Sequence, residues 1–138
     1  MNRKVVICAS AKFYNEAQEW KKNLGEQGFD VIRTIQSIDE NSISQYETTH
    51  REHYSKMSEC DAVFVLNLKK NGIEGYIGAS VFAEIAFAIG LNLVLNRSIQ
   101  IWLLNPLPKE SPYLDELTKW EKLGWIKQYV PVLQQVIS

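Results

Sequence analysis

Cysteine is scarce in this chain: Cys8 and Cys60 are the only two, too few and too widely spaced for a disulfide framework or a zinc knuckle. Cys8 falls near the end of one predicted strand and Cys60 just before another. In parallel strands those positions lie at opposite edges of a sheet, so both thiols are expected to be reduced, buried and unable to bond to each other. An excess of one charge is also lacking. The 15 Lys and Arg stand against 16 Asp and Glu, so no basic field advertises a nucleic-acid polymer or an anionic membrane as partner. No apolar run approaches the roughly 18 residues that a membrane span needs. The opening MNRKVVICAS has neither the long apolar stretch nor the small-residue cleavage site of a signal peptide, and a cytoplasmic address is the default expectation. Repeats, low-complexity segments and linkers are absent too. Small ligands and protein partners remain open.

What is present suits one domain spanning residues 1–138, since 46% hydrophobic residues can bury an ordinary core. The run KVVIC, residues 4–8, is continuous and β-branched, the mark of a strand buried on both faces. After it SAKFYNEAQEWKKNLGEQG reads as a helix of about four turns, with Ser10 as a candidate N-cap and Gly25 and Gly28 near its end. FDVIRTI, 29–35, is a second, weaker strand. Apolar and aromatic side chains at spacings of three and four (Ile43, Tyr46, His50, His53, Tyr54, Met57) then predict an amphipathic helix over 42–58. DAVFVLN, 61–67, is the most strand-like segment. A glycine-rich loop leads to the helix ASVFAEIAFAIGLN, and IQIWLL, 99–104, is a fourth strand before NPLP breaks it. SPYLDELTKWEKLG reads as a helix, and WIKQYVPVLQQVIS as a short edge strand and a final helix. Strands alternating with helices indicate right-handed βαβ units and an α/β fold, a doubly wound, mainly parallel sheet of four or five strands in three layers.

One charge is out of keeping with its surroundings. From Ala79 to Asn92 the predicted helix carries a single charged residue, Glu84. Its neighbours three and four positions away are Ser80, Val81, Phe87 and Ala88, none of them basic, so no local ion pair accounts for it. Helical side chains lean toward the N-terminus, which aims Glu84 and Ser80 at the carboxyl ends of the strands, where ligands bind in open α/β sheets. A buried unpaired carboxylate costs several kcal/mol or takes up a proton, and such groups cluster at functional sites. The competing reading is a glutamate that caps backbone groups or meets Lys or Arg from a distant segment.

Other candidates carry two readings each. Gly72, Gly75 and Gly78 let the loop from Asn67 to Gly78 turn tightly and approach a ligand, as they would in any tight loop. Ser10 follows the first strand, as a ligand contact or a plain N-cap. Asp61 opens the third strand, as a site residue or a turn residue, and Asn67 ends that strand at the crevice. Tyr76 can stack on an aromatic ligand or pack as a lid. Lys69 and Lys70 suit a phosphate or a solvated loop. His50 and His53 are three apart on a helix, a metal-binding spacing, but no Cys or third His accompanies them in the sequence, so neither a metal site nor a cofactor is expected.

The ordered residues Asn67, Lys70, Gly72, Ile73, Tyr76, Ile77, Gly78 and Glu84, followed by WLLNPLP from Trp102 to Pro108, make the chain resemble the nucleoside 2-deoxyribosyltransferase-like superfamily. The closest likeness is to a branch of small proteins with an N-x-x-K-x-G-I-x-x-Y-I-G loop. The resemblance covers roughly residues 53–116 well and the first strand and helix loosely. It implies a flavodoxin-like or Rossmann-like sheet and, in catalytic branches, a glutamate that attacks the anomeric carbon of a nucleoside and is then released by a second base or by water. Glu84 matches that nucleophile, Asp61 an aspartate on the same strand, and Ser10 lies in the matching first loop. Lys70, Gly72 and Gly75 would hold a 5′-phosphate or hydroxyl, and Tyr76 would cover the sugar or base. The transferases carry a further aspartate six residues before the nucleophile, where this chain has Gly78. The expected partner is a small nucleoside or nucleotide; the expected activity is transfer or hydrolysis at the N-glycosidic bond, the alternative being a non-catalytic nucleotide-binding or sensing module. Relatives are often homo-oligomers, and an aromatic stripe of Tyr46 and Tyr54 is the expected interface.

Overall fold

Residues 2–131 are described by the computed structural model. Five strands, β1 (Lys4–Cys8), β2 (Asp30–Arg33), β3 (Ala62–Val65), β4 (Gln100–Leu103) and β5 (Lys127–Gln128), alternate with four α-helices. These are α1 (Tyr14–Glu26), α2 (Ile43–Met57), α3 (Ala79–Leu95) and α4 (Leu114–Lys122). All strand pairs are parallel, in the order β2-β1-β3-β4-β5. This is the doubly wound, flavodoxin-like order, in which the winding reverses between β1 and β3. β5 is the expected edge strand; the final helix expected after it lies outside the described residues.

The period-two side-chain pattern divides each strand between two cores. Val5, Ile7, Ala62 and Phe64 face α1 through Phe13, Ala17 and Leu24. Val6, Cys8, Val63 and Val65 face the opposite way, onto Met57 of α2, Val81 and Ile85 of α3, and Leu117 of α4. Each Leu, Ile or Phe so buried contributes roughly 1.5–3 kcal/mol, against at most about 1 kcal/mol for an exposed ion pair. Burial on both faces therefore holds the sheet, and the three layers follow.

Local departures from the expected elements have local causes. Ser10 caps nothing: the chain first makes a 3-10 turn at Ala11–Phe13 and only then enters α1. Ser42 does cap α2, its Oγ accepting the Gln45 N–H at 3.3 Å. Helix α3 runs to Leu95, past the expected Asn92, and ends at Asn96 in the left-handed conformation. The segment after it is pinned by Arg97, which donates to the carbonyls of Ser58 and Cys60, and by Asn92, whose side chain pairs with both backbone groups of Ile99. The aromatic stripe expected on α2 is only partly exposed: Tyr46 is exposed and stacks on His50 at 3.8 Å, but Tyr54 stacks on Phe87 of α3 at 5.0 Å and is half-buried.

The loops after β3 and β4 are tied together by two asparagines. Asn67 is fully buried and donates through Nδ2 to the Asn105 carbonyl, while its Oδ1 accepts the Asn105 N–H, both at 2.9 Å. Asn105 Nδ2 donates in return to the Asn67 carbonyl at 3.0 Å. Gly75 lies in the left-handed region (φ 68°) against the same loop, where a Cβ would overlap the Pro106 carbonyl oxygen. Gly72 also has positive φ (77°), but with open space around it. Gly75→Ala is expected to destabilise the fold by more than about 2 kcal/mol and Gly72→Ala by about 1 kcal/mol, measured by urea unfolding of the two variants; equal losses would show that the Pro106 contact does not matter.

Candidate functional site

A cleft of about 440 Å³ opens at the carboxyl ends of the strands, beside the β1–β3 switch point. Its size and place are those of a small-ligand site in this fold class. The segments that leave β1 and β2, the inner face of α2, and the start of α3 supply its walls. The N-cap of α3 is Gly78, which has no side chain to satisfy the first amides of the helix. Ala79, Ser80 and Val81 line the cleft, so a polar ligand there meets free N–H groups and the positive end of a helix dipole.

One wall is built from Ser10, Lys70, Tyr76 and Gly78. Lys70 Nζ donates to Ser10 Oγ at 2.9 Å and lies 4.9 Å from the centre of the Tyr76 ring, a cation–π distance. The ring in turn covers Gly78, where an added Cβ would come within 3.0 Å of Tyr76 Oη. A side chain at position 78 therefore needs the Tyr76 ring to give way by a few tenths of an ångström. The opposite wall carries Arg33, the last residue of β2. Its Nη2 donates to Thr49 O at 3.2 Å and Oγ1 at 3.0 Å, Nη1 meets Glu52 at 3.3 Å, and Nε is buried with no hydrogen-bond partner among the described residues.

Glu84 is at the bottom of the cleft, 8% exposed. It is not alone: His53 Nε2 of α2 lies 3.6 Å from Glu84 Oε2, and Cys8 Sγ of β1 lies 3.3 Å from the same ring nitrogen. Burial pushes the Glu84 carboxyl up to about 7, with the Cys8 thiol opposing by hydrogen bonding to it. Burial likewise lowers His53 to about 4, aided by the nearby positive charges of Arg33 and then His50. Burial, followed by the Glu84 charge, holds the Cys8 thiol well above its ordinary value. The order decides the charge state. Near pH 7 the imidazole is neutral and the carboxyl is about half protonated, so the 3.6 Å contact has the geometry of a salt bridge without being one.

The structure brings Ser10, Lys70, Tyr76, Gly78, Ser80 and Glu84 together around the cleft. It sorts the other expected residues away. Asp61 sits at the amino-terminal end of β3, the far edge of the sheet, where its Oδ2 accepts the Lys4 N–H at 2.7 Å; that turn-like role replaces the expected catalytic one. Asn67 is consumed by the Asn105 pairing, and Gly72 and Gly75 shape the loop without lining the cleft. His53, Cys8, Arg33 and Thr49 are site residues that sequence reasoning did not assign. The expectation that no cysteine accompanies the histidines is corrected by Cys8, 45 positions from His53 in sequence. The only available signal was Cys8 as the last residue of its predicted strand, where a side chain enters a crevice; Arg33 lay inside the predicted second strand, which in the structure ends at Arg33 and not at Ile35.

Comparison with protein-family models and with curated proteins finds no match to this chain.

The carboxyl group predicts a stability signature. Its folded pKa, about 7 against 4.5 when unfolded, means that the folded state binds the proton more tightly. Stability from this group is complete below pH 4.5 and is lost as pH rises through 7, by roughly 3 kcal/mol. His53 runs oppositely, its cost appearing as pH falls from 6.5 through 4, and it is common to both proteins compared. Glu84→Gln, which cannot ionise, is therefore expected to raise the thermal midpoint by several degrees at pH 8 and to leave it nearly unchanged at pH 5; an equal effect at both pH values would contradict the assignment.

Proposed function

We propose that this protein cleaves or transfers at the N-glycosidic bond of a nucleoside or nucleotide, with Glu84 as the nucleophile. The observation that supports it most is a single carboxylate at the base of an otherwise uncharged helix end, at the switch-point cleft, with an aromatic ring and a lysine on the adjoining wall. The resemblance of the loop and of Glu84 to the deoxyribosyltransferase-like pattern points the same way.

Each element has a part in this reading. Lys70, Ser10 and the first amides of α3 hold the sugar hydroxyls or a 5′-phosphate. Tyr76 covers the sugar or base. A Glu84 oxygen attacks C1′ as the C1′–N bond breaks; the base leaves with the bonding pair and takes its proton from solvent, since Gly78 offers none. Water or a second base then attacks C1′ and frees the carboxylate, the attacking group's proton passing to solvent. His53, neutral and 3.6 Å away, orients the carboxylate without neutralising it.

The covered Gly78 and the half-protonated Glu84 favour a second reading, binding without turnover. Incubating the protein with nucleosides, deoxynucleosides and their monophosphates, and following both thermal midpoint and released base, separates the two. Base release that vanishes in Glu84→Ala while ligand-dependent stabilisation persists is the expected outcome. Because the ionised form is the nucleophile, kcat/KM should rise with pH and level off above about 7, the value expected for Glu84 in the free protein. Stabilisation without release would identify a binder, and neither signal across the panel would end the nucleotide reading.

A further inference from the structure

Three donor atoms of different chemistry converge below the cleft from three separate elements. Cys8 Sγ comes from the end of β1, His53 Nε2 from α2 and Glu84 Oε2 from α3, and all lie within 4.8 Å of one another. All three residues are buried, at 0%, 6% and 8% exposure. Both short contacts, 3.3 Å to sulfur and 3.6 Å to oxygen, are made by one atom, Nε2. The thiol hydrogen-bonds to the Glu84 carboxyl, and Nε2 lies between sulfur and carboxylate oxygen as the centre of both contacts. A cation at the middle of the three takes all of them as ligands at once.

We propose that Cys8, His53 and Glu84 form a three-ligand site for a borderline divalent transition metal, zinc(II) foremost. Tetrahedral zinc, with bonds of about 2.3 Å to sulfur and about 2.0–2.1 Å to nitrogen and oxygen, sets its ligand atoms about 3.3–3.6 Å apart. The two contacts at Nε2 are within about 0.3 Å of those edges, and small adjustments of the side chains, with a rotation of the Glu84 carboxylate, close the set. A thiolate, an imidazole and a carboxylate are the donor set that zinc and cobalt accept, while calcium and magnesium select oxygen alone. Thiolate and carboxylate together neutralise the ion, which keeps the buried cluster free of net charge, and the protons they release pass to solvent. His53 and Glu84 line the cleft, which supplies the entry path and leaves the fourth position open to water or a ligand oxygen.

A consequence rests on the proposed function. The ion and the anomeric carbon compete for the same carboxylate, so zinc acts as an inhibitor whose removal frees Glu84.

Cobalt(II) titration of the purified chain, stripped beforehand with a chelator, tests the site directly. A near-ultraviolet thiolate-to-cobalt band with intense visible bands of tetrahedral cobalt, saturating at one ion per chain and displaced by zinc, is expected. Cys8→Ser should abolish the thiolate band, and His53→Gln and Glu84→Gln should each weaken binding by roughly tenfold or more, whereas Cys60→Ser should bind as the parent does. The three ligand variants fail independently, so a misfolded one leaves the other two decisive. Absence of any stoichiometric binding, or binding that survives all three changes, would overturn the site. The catalytic reading stands or falls separately, on base release by the chelator-treated protein: binding without release retains the metal site and removes the enzyme, and release that zinc does not inhibit removes the competition.

Discussion

The parallel pairing of β1 with β3 is the constraint on which the site depends. Cys8 is paired with Val65 in register, so the chain leaves both strands side by side and must diverge, toward β2 on one side and β4 on the other. A crevice at that point is a consequence of topology. The same register brings the last side chain of β1 beneath the helix that follows β3. Without it Cys8, His53 and Glu84 would have no common place to meet.

Burial of the Glu84 carboxyl is the energetic counterpart of that geometry. The walls around it are apolar: Val81 and Ile85 belong to the core packed on the sheet, and dry surroundings favour the protonated form. A hydrophobic residue in its place would stabilise the domain without a titrating group in the core. The surrounding groups temper the cost and do not remove it. The thiol hydrogen-bonds to the carboxyl, whereas His53 supplies no counter-charge, kept neutral by its burial first and then by the positive charge of Arg33, itself held by Thr49 and Glu52. The result is a cluster of a protonated thiol, a neutral imidazole and a titrating carboxyl at the foot of an open cleft.

The legible parts of the fold were those decided by short-range patterning. Lys4–Cys8 was bounded to the residue because an uninterrupted β-branched run has one stable environment, a two-faced sheet interior. The start of α3 at Ala79 was also bounded to the residue, but its C-terminal end was harder. Its true end at Leu95 leaves Leu93, Val94 and Leu95 exposed, against the expectation from hydrophobicity, and depends on the pins that Arg97 and Asn92 make with distant backbone. The site was half legible. Glu84 declared itself as a lone charge in an apolar helix, and Ser10, Lys70 and Tyr76 by their place after strands. Asp61 was misplaced because its role came from the resemblance alone, although a residue that opens a parallel strand lies at the amino end of the sheet, away from a cleft at the carboxyl ends; Asn67, Gly72 and Gly75 were misplaced because proximity to the cleft in sequence is not exposure to it.

By itself the sequence determined the alternation of strand and helix, the three-layer class and the presence of one carboxylate where a dry environment awaited it, since each follows from the periodicity of neighbouring residues. Only the tertiary structure decided the company that carboxylate keeps. Cys8, Arg33 and His53 come from three different segments, and contacts between such segments are set by strand order and register. It also decided that Tyr76 folds over Gly78 and that Asn67 turns to Asn105. Those outcomes depend on distances between segments, which no local pattern encodes.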